Sequence, residues 1–380
     1  MNLTGASLNK KTSPPDYVWL SLAGVLVVLG LVFLTSASSV VGYQKFGDSY
    51  YYLKRQLLYG LLPGLAAFSF FSRWNYQNLK KLALPALLGS VGLLLAVFIP
   101  GLGFEYGGAT RWIHLGAFSF QPSELVKLTF LIYLASWLDG KGADNIKDFK
   151  KGLLPFVLVL GAVLALMLAQ NDLGTASVIG VSAVMTFFVA GANWIHLGLL
   201  GALGMSALWL VITKVGYRAR RLAVFLQPSL DPQGIGYHIN QALLAVGSGG
   251  IFGVGLGYSR QKYQYLPEVT GDSIFAVISE ELGFVFTTIF ITILIMFFWR
   301  GFKIARFASD DFGRYLAVGI LSWLAWQTGI NMASMLNILP LTGVPLPLVS
   351  AGGTALMTAL AAIGILTNIS RSGKLNHKKL

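Results

Sequence analysis

A charge held in hydrocarbon is costly and is usually kept for function, so ionisable side chains inside apolar stretches are the first candidates for chemistry. This sequence has few of them. Glu124 and Lys127 lie three residues apart in one apolar stretch, a spacing that puts both on one helix face. Glu280 and Glu281 lie in another, with Asp272 at its start, and Asp172 sits in a tight turn between two more. A carboxylate at the edge of such a stretch suits a general base, and a buried cation suits neutralisation of an anionic leaving group. Each group also has a structural reading. Asp272 is placed to cap a helix, Glu124 and Lys127 to form an ion pair, and one of Glu280 and Glu281 to pair with a cation from a neighbouring helix. The four histidines (His114, His196, His238, His377) are scattered without ligand spacing, which argues against zinc. No G-x-S-x-G element supports acyl-transfer hydrolysis.

The elements that must position these groups are membrane spans. The chain has 380 residues, 55% hydrophobic and 11% charged, against about 25% charged in soluble domains. It has no cysteine, so there is no disulfide framework. A helix needs about 20 apolar residues to cross the hydrocarbon. Ten stretches qualify: Tyr17–Ser36, Leu53–Phe71, Leu82–Ile99, Pro122–Leu138, Leu153–Ala169, Leu173–Ala190, Ile195–Thr213, Asp272–Trp299, Phe312–Ser334 and Leu346–Asn368. The first exceeds the roughly 7–15 residues of a signal-peptide core. The fold class expected is all-α, a polytopic integral membrane protein. Residues 1–16 and 369–380 would be cytoplasmic tails around one membrane domain, 17–368. Basic residues of the short loops, such as Arg73, Lys80, Lys147, Lys150, Arg300 and Arg314, collect on one side when both termini are placed inside. The net charge of +13 then reflects topology and anionic lipid, with no need for nucleic acid. In this topology Glu124, Lys127, Asp172, Asp272, Glu280 and Glu281 all fall in the outer half. Glu280 and Glu281 come roughly 12–14 Å below Asp272 at about 1.5 Å per residue. A transporter would place polar groups near the midplane and beyond.

One connection is anomalous. The outer segment 214–271 is far longer than usual connections and carries Lys214, Arg218, Arg220, Arg221, Arg260 and Lys262 against Asp231 and Glu268. Long loops cross regardless of charge, but an anionic ligand on the outer face is the sharper reading. Its run GSGGIFGVGLG (247–257) lacks the strand, helix and GK[ST] context of a phosphate loop, so these glycines are expected to let a re-entrant or interfacial segment pack closely. A basic outer loop, an edge carboxylate and an outer-leaflet position together fit sugar transfer from a lipid pyrophosphate. The leaving group there needs charge neutralisation, and a single carboxylate suffices to take the proton of the attacking hydroxyl.

Longer motifs carry a resemblance. Residues 108–128 read GATRWIHLGAFSFQPSELVKL, 170–176 QNDLGTA, 225–257 FLQPSLDPQGIGYHINQALLAVGSGGIFGVGLG, 258–283 YSRQKYQYLPEVTGDSIFAVISEELG, and 343–353 GVPLPLVSAGG. In this order on ten spans they resemble the SEDS family (shape, elongation, division and sporulation), which includes FtsW and RodA. The stretch 259–268 is closer to the FtsW type. The resemblance covers roughly 17–368.

It implies a peptidoglycan glycosyltransferase that polymerises lipid II on the outer face of the bacterial plasma membrane and releases undecaprenyl pyrophosphate. The process expected is septal synthesis at cell division, with elongation, sporulation or lipid II flipping as alternatives. Implied partners are lipid II, the nascent glycan, a class B penicillin-binding protein and other divisome or elongasome membrane proteins. By position, Asp272 is the family's essential aspartate, four residues after Glu268. Arg111, Gln121, Ser123, Glu124 and Lys127 fall on its other motifs, and Ser350 lies in GVPLPLVSAGG. The expected mechanism has Asp272 as base and Arg111, Lys127, Arg218, Arg221 and Lys262 around the pyrophosphate. Glu124, Glu281, Glu268, Gln121, Ser123 and Ser350 would complete the substrate site. No cofactor is required, a divalent cation (Mg2+ or Mn2+) would assist, and no metal ligands are assigned. Thr270, Gly271 and Ser273 depart from the family's usual His-Thr and Phe around the aspartate, and Asn171 replaces a proline.

Overall fold

The computed structural model describes residues 13–106, 109–115, 118–214 and 216–373. It is mostly helical, and a helix stands at each of the ten predicted spans. In chain order these are α1 (Tyr17–Phe46); α2 (Tyr51–Gln56) and α3 (Leu62–Arg73), joined by a π turn; and α4 (Leu79–Ala96). Next come α5 (Pro122–Asp139), a short α6 (Ala143–Lys147), α7 (Leu154–Ala169), α8 (Leu173–Val189) and α9 (Trp194–Lys214). The long segment 214–271 forms α10 (Gly216–Leu226) and α11 (Ile235–Ser248) before α12 (Ile274–Arg306), α13 (Asp311–Met335) and α14 (Gly353–Ser372). Five of the spanning stretches (17–46, 76–96, 149–169, 274–306 and 353–372) are long and apolar enough to cross a membrane by length and composition alone.

The all-α expectation needs correction. Three antiparallel strands in the order β1 (Gly103–Tyr106), β2 (Ala109–Leu115) and β3 (Phe118–Phe120) fill the connection before α5. Ile113 pairs with Gly103 on one side and Phe120 on the other. The run Thr110, Trp112, His114 alternating with Arg111, Ile113 is a period-two pattern too short to stand out between apolar spans.

The core is α5, α13 and α14, buried on most faces, with Trp323, Phe130, Phe312 and Leu366 wholly enclosed. The peripheral helices α1, α4 and α7 keep large exposed residues such as Val28, Leu88 and Leu158. The last span begins at Gly353, not Leu346, because Pro345 and Pro347 remove N–H donors and Leu348 takes a φ of 65°. Residues 336–352 form a loop instead.

A kink in α12 shapes its packing against the glycine run 247–257. Gly283 has φ 69° within the helix, and the chain bends there around the glycine run. A Cβ on Gly283 would lie 2.1 Å from Gly253 N, and one on Gly253 would lie 2.2 Å from Glu281 O. The backbone groups released by the kink are taken up: Val254 N and Gly255 N donate to Glu280 O and Glu281 O, and Phe284 N donates to Gly250 O. Gly249, Gly253 and Gly283 therefore serve close backbone packing, while Gly250, Gly255 and Gly257 supply positive φ.

Candidate active site

The turn 268–273 leads into α12. It closes on the Glu268 carbonyl, which accepts from Gly271 N (3.0 Å) and Ser273 N (3.2 Å). Ser273 holds the N-cap position and no side chain caps the helix, so the capping role open to Asp272 from sequence is not its role. Among the described residues the Asp272 carboxylate enters no salt bridge. Its backbone is fixed instead. Asn331 Nδ2 on α13 donates to Asp272 O and to Val344 O, each at 2.8 Å. Ser350 Oγ donates to Gly271 O (2.7 Å) and accepts from Leu346 N (2.8 Å), and Ala351 N donates to Thr270 O (2.8 Å). Ser273, one of the unusual residues, donates from Oγ to Pro267 O (2.7 Å). A hydroxyl has one proton, so its contact with His238 Nε2 (2.7 Å) must be a bond donated by the imidazole. Burial, then the charge of Arg221, pushes the His238 pKa down to about 4, so the ring is neutral at pH 7.

Two arginines face the aspartate. Arg111 on β2 holds the turn between α7 and α8: Nε donates to Gln170 O (3.5 Å), Nη2 donates to Asn171 O, and Nη1 lies 3.5 Å from Asp172 Oδ1. Asp172 in turn caps α8 through Thr175 N (3.2 Å). Arg221 on α10 donates from Nη1 to Leu341 O (3.2 Å). Asp272 lies in the fields of both. Burial first, and then the Glu268 charge, pushes its pKa up to about 6, while Arg221 and Arg111 pull it down and Asp172 pushes it further up. A carboxylate with that pKa is ionised at neutral pH and more basic than a free aspartate.

A cavity of about 360 Å³ lies beside this turn, between α2, the sheet and the start of α14, with Tyr52, Arg55, Gln56, Trp112 and His114 in its walls. Gln56 ties it to the aspartate's support, since Nε2 donates to Ser350 O (3.3 Å) and Oε1 accepts from Gly352 N (2.9 Å). The Glu268 charge reaches the Tyr52 ring from the other side.

The structure thus brings Asp272, Glu268, Arg111, Arg221 and Ser350 together, Ser350 as a buried support and not a surface contact. It does not place the remaining candidates on an open surface. Lys127 is 2% exposed, 2.8 Å from Glu124, donates to Gln327 Oε1 (2.9 Å) and sits 4.9 Å from the Trp323 ring. Lys262 is equally buried and pairs with Glu281 at 3.1 Å. Glu281 therefore takes its cation from the loop before α12, not from a neighbouring helix or Lys127. Its neighbour Glu280 accepts from Ser259 Oγ (2.5 Å) and Arg260 N (2.9 Å) and pins the same loop. The structure holds Lys127, Glu124, Lys262 and Glu281, expected above to contact substrate, in two buried ion pairs. Gln121 precedes α5 without a side-chain capping bond, and Ser123 Oγ is buried without a partner among the described residues. The Arg218 side chain lies outside the described residues.

Arg55, Gln56, His238, Gln327 and Asn331 were not anticipated. Gln327 and Asn331 carried a signal, being amides four apart in an apolar span and so on one face. Gln327 Nε2 donates to Pro345 O (2.9 Å), so these two amides hold the 336–352 loop against the aspartate. Among the described residues no three His, Asp or Glu side chains group to hold a metal ion.

The profile of a cell cycle protein family comprising FtsW, RodA and SpoVE matches residues 17–375. A probable peptidoglycan glycosyltransferase FtsW from Geobacter sulfurreducens is 42% identical over 355 residues, covering 93% of this chain and 95% of that protein. Stage V sporulation protein E from Bacillus subtilis is 40% identical over 364 residues, covering 95% and 98%. Among solved structures, a chain from a peptidoglycan synthase complex, studied for its coordination of polymerization and crosslinking, superposes with a TM-score of 0.77 at 28% identity, covering 95% of this chain and 99% of that one. The rod shape determining protein RodA of Thermus thermophilus gives 0.70 at 28% identity, covering 94% and 97%.

Proposed function

The chain belongs to the FtsW, RodA and SpoVE family and is a peptidoglycan glycosyltransferase, and on that premise we propose that Asp272 is the general base of lipid II polymerisation. The observation that carries this reading is the Asp272 carboxylate, free of salt bridges among the described residues, raised to a pKa of about 6 and flanked by the fields of Arg111 and Arg221. In the step, Asp272 takes the proton of the acceptor sugar's C4 hydroxyl. That oxygen bonds to the donor's anomeric carbon with inversion as the bond to the lipid pyrophosphate breaks. The electron pair leaves on the pyrophosphate, whose charge Arg111 and Arg221 offset and Arg55 offsets from the adjoining cavity. The polymer gains a β-1,4 link and undecaprenyl pyrophosphate departs. A positioned base contributes about 10²–10⁴-fold.

The same reading assigns ten membrane spans with both termini cytoplasmic and segment 214–271 outside, residues 17–368 acting as one membrane domain. It assigns septal synthesis as the process and a class B penicillin-binding protein as the cross-linking partner, supported by the likeness to a synthase complex that couples polymerization to crosslinking. A divalent cation (Mg2+ or Mn2+) would draw its ligands chiefly from the pyrophosphate, given the absence of a three-residue acidic or histidine cluster among the described residues. The test is polymerisation of fluorescent lipid II by the purified protein with its partner, comparing Asp272→Asn and Arg221→Gln with wild type. Turnover undiminished in both would sink the assignment.

A further inference from the structure

The outer ends of α1 and α2 and the loop 263–265 carry more aromatic surface than packing requires. Tyr43, Phe46, Tyr50, Tyr263 and Tyr265 are each about half exposed or more, from 48% to 65%. Phe46 stacks on Tyr51 at 3.6 Å between ring centroids and meets the edge of Tyr52 at 6.1 Å. Gln264 Nε2 donates to Gln44 Oε1 at 2.5 Å, which ties the loop 263–265 to the outer end of α1. Tyr52 ends the series in the wall of the cavity between α2, the sheet and the start of α14, a cavity whose Ala351 N donates to Thr270 O, two residues before Asp272. The aromatics therefore join that cavity to the outer ends of α1 and α2.

Two explanations compete. Tyrosines gather at membrane interfaces as belts. α1 runs roughly 39 Å from Tyr17 to Tyr43 at about 1.5 Å per residue, which puts Tyr43 at the headgroup level where a belt would lie. But the surface is interleaved with amides and charges, including Gln44, Gln264 and the exposed Asp48–Lys54 pair at 2.7 Å. Flat rings alternating with amides suit a carbohydrate chain. The C–H faces of pyranose rings stack on aromatic rings, while hydroxyl and acetamido groups hydrogen-bond to amides. Tyrosine supplies an apolar face and a polar tip at once.

We propose that this aromatic path is an exit platform that holds the nascent β-1,4-linked amino-sugar strand as it leaves the cavity, setting how many additions occur before release. The proposal rests on the polymerase reading above. The platform lies outside the bond-forming site, so losing it changes strand length and not the rate of single additions.

The experiment uses the full chain with its transpeptidase partner and the triple variant Tyr43→Ala/Tyr263→Ala/Tyr265→Ala. Initial lipid II consumption stays at the wild-type rate, while the glycan on a denaturing gel shortens several-fold, and Tyr→Phe at the same positions keeps long strands. A second measurement needs no turnover. Saturation-transfer NMR with short soluble glycan oligomers detects binding to wild type, and the alanine variant loses at least about tenfold in affinity, equal to ~1.4 kcal/mol. Strands of wild-type length from the folded alanine variant, or the same oligomer affinity in both proteins, overturn the proposal. A membrane belt predicts those two results. If Asp272→Asn polymerised normally, the base assignment would fail while oligomer binding still reported on the platform.

Discussion

The buried Glu124–Lys127 pair offers a quantitative way to separate support from substrate contact. Both side chains are almost fully enclosed, and Glu124 Oε2 already lacks a partner among the described residues. Lys127→Met leaves that carboxylate uncompensated in a low-dielectric interior, which costs about 3–5 kcal/mol. For a large domain this lowers the melting temperature by about 6–20 °C. The double variant Glu124→Leu/Lys127→Met removes both charges and leaves no unpaired amide behind. Gln327 Oε1 still accepts from Trp323 Nε1 at 2.8 Å, so no new orphan acceptor appears. Replacing a whole buried pair is often near neutral, and the double variant should melt within a few degrees of wild type. Activity should follow stability, because Gln327 also holds Pro345 O and through that loop the support of Asp272. The assays are thermal melting in detergent and polymerisation of fluorescent lipid II. Lys127→Met loses most activity and the double variant recovers to within about threefold of wild type, a residual of ~0.7 kcal/mol in the barrier. A double variant with wild-type melting that stays as inactive as Lys127→Met would refute the reasoning and put Lys127 on the substrate.

Other predictions follow from the same geometry. The pH–rate profile rises through an acidic limb near 6 and levels above it, since the carboxylate must be ionised to accept a proton. Glu268→Gln removes a charge that raises the Asp272 pKa and shifts this limb to lower pH, and Arg221→Gln shifts it to higher pH. His238→Ala frees Ser273 from α11 and lowers kcat about 10–100-fold through misplacement of Asp272. His238→Gln, which keeps a donor near the Nε2 position, retains more, with no inflection of its own between pH 5 and 9. Gly283→Ala places a methyl 2.1 Å from Gly253 N at a φ of 69°, so it lowers expression and melting temperature sharply while Gly89→Ala, which meets nothing within 4 Å, does not.

Much of the helical fold was legible because hydrocarbon imposes long apolar runs and leaves little freedom in reading them. The site was legible in part. Asp272, Glu268 and Arg111 stood out as charges at span edges or in long motifs, and the structure gathers them with Arg221. Partnering was not legible. The sequence placed Lys127 three residues from Glu124 and left both an ion pair and a substrate role open. Only the fold reveals that Gln327 and Trp323 complete its shell. Lys262 and Glu281 are 19 residues apart and meet because α12 kinks at Gly283, a bend that depends on the glycine run opposite. The small sheet was hidden by its length, and Arg55 by its place among aromatic residues that read as the start of a span.

The central claim is that Asp272 takes the proton in the glycosyl transfer. The direct measurement is single-turnover polymerisation of lipid II by Asp272→Asn beside wild type, both folded and bound to the transpeptidase partner. The account predicts unchanged lipid II binding with a bond-forming rate lower by about 10²–10⁴-fold. A bond-forming rate near wild type in Asp272→Asn would contradict it.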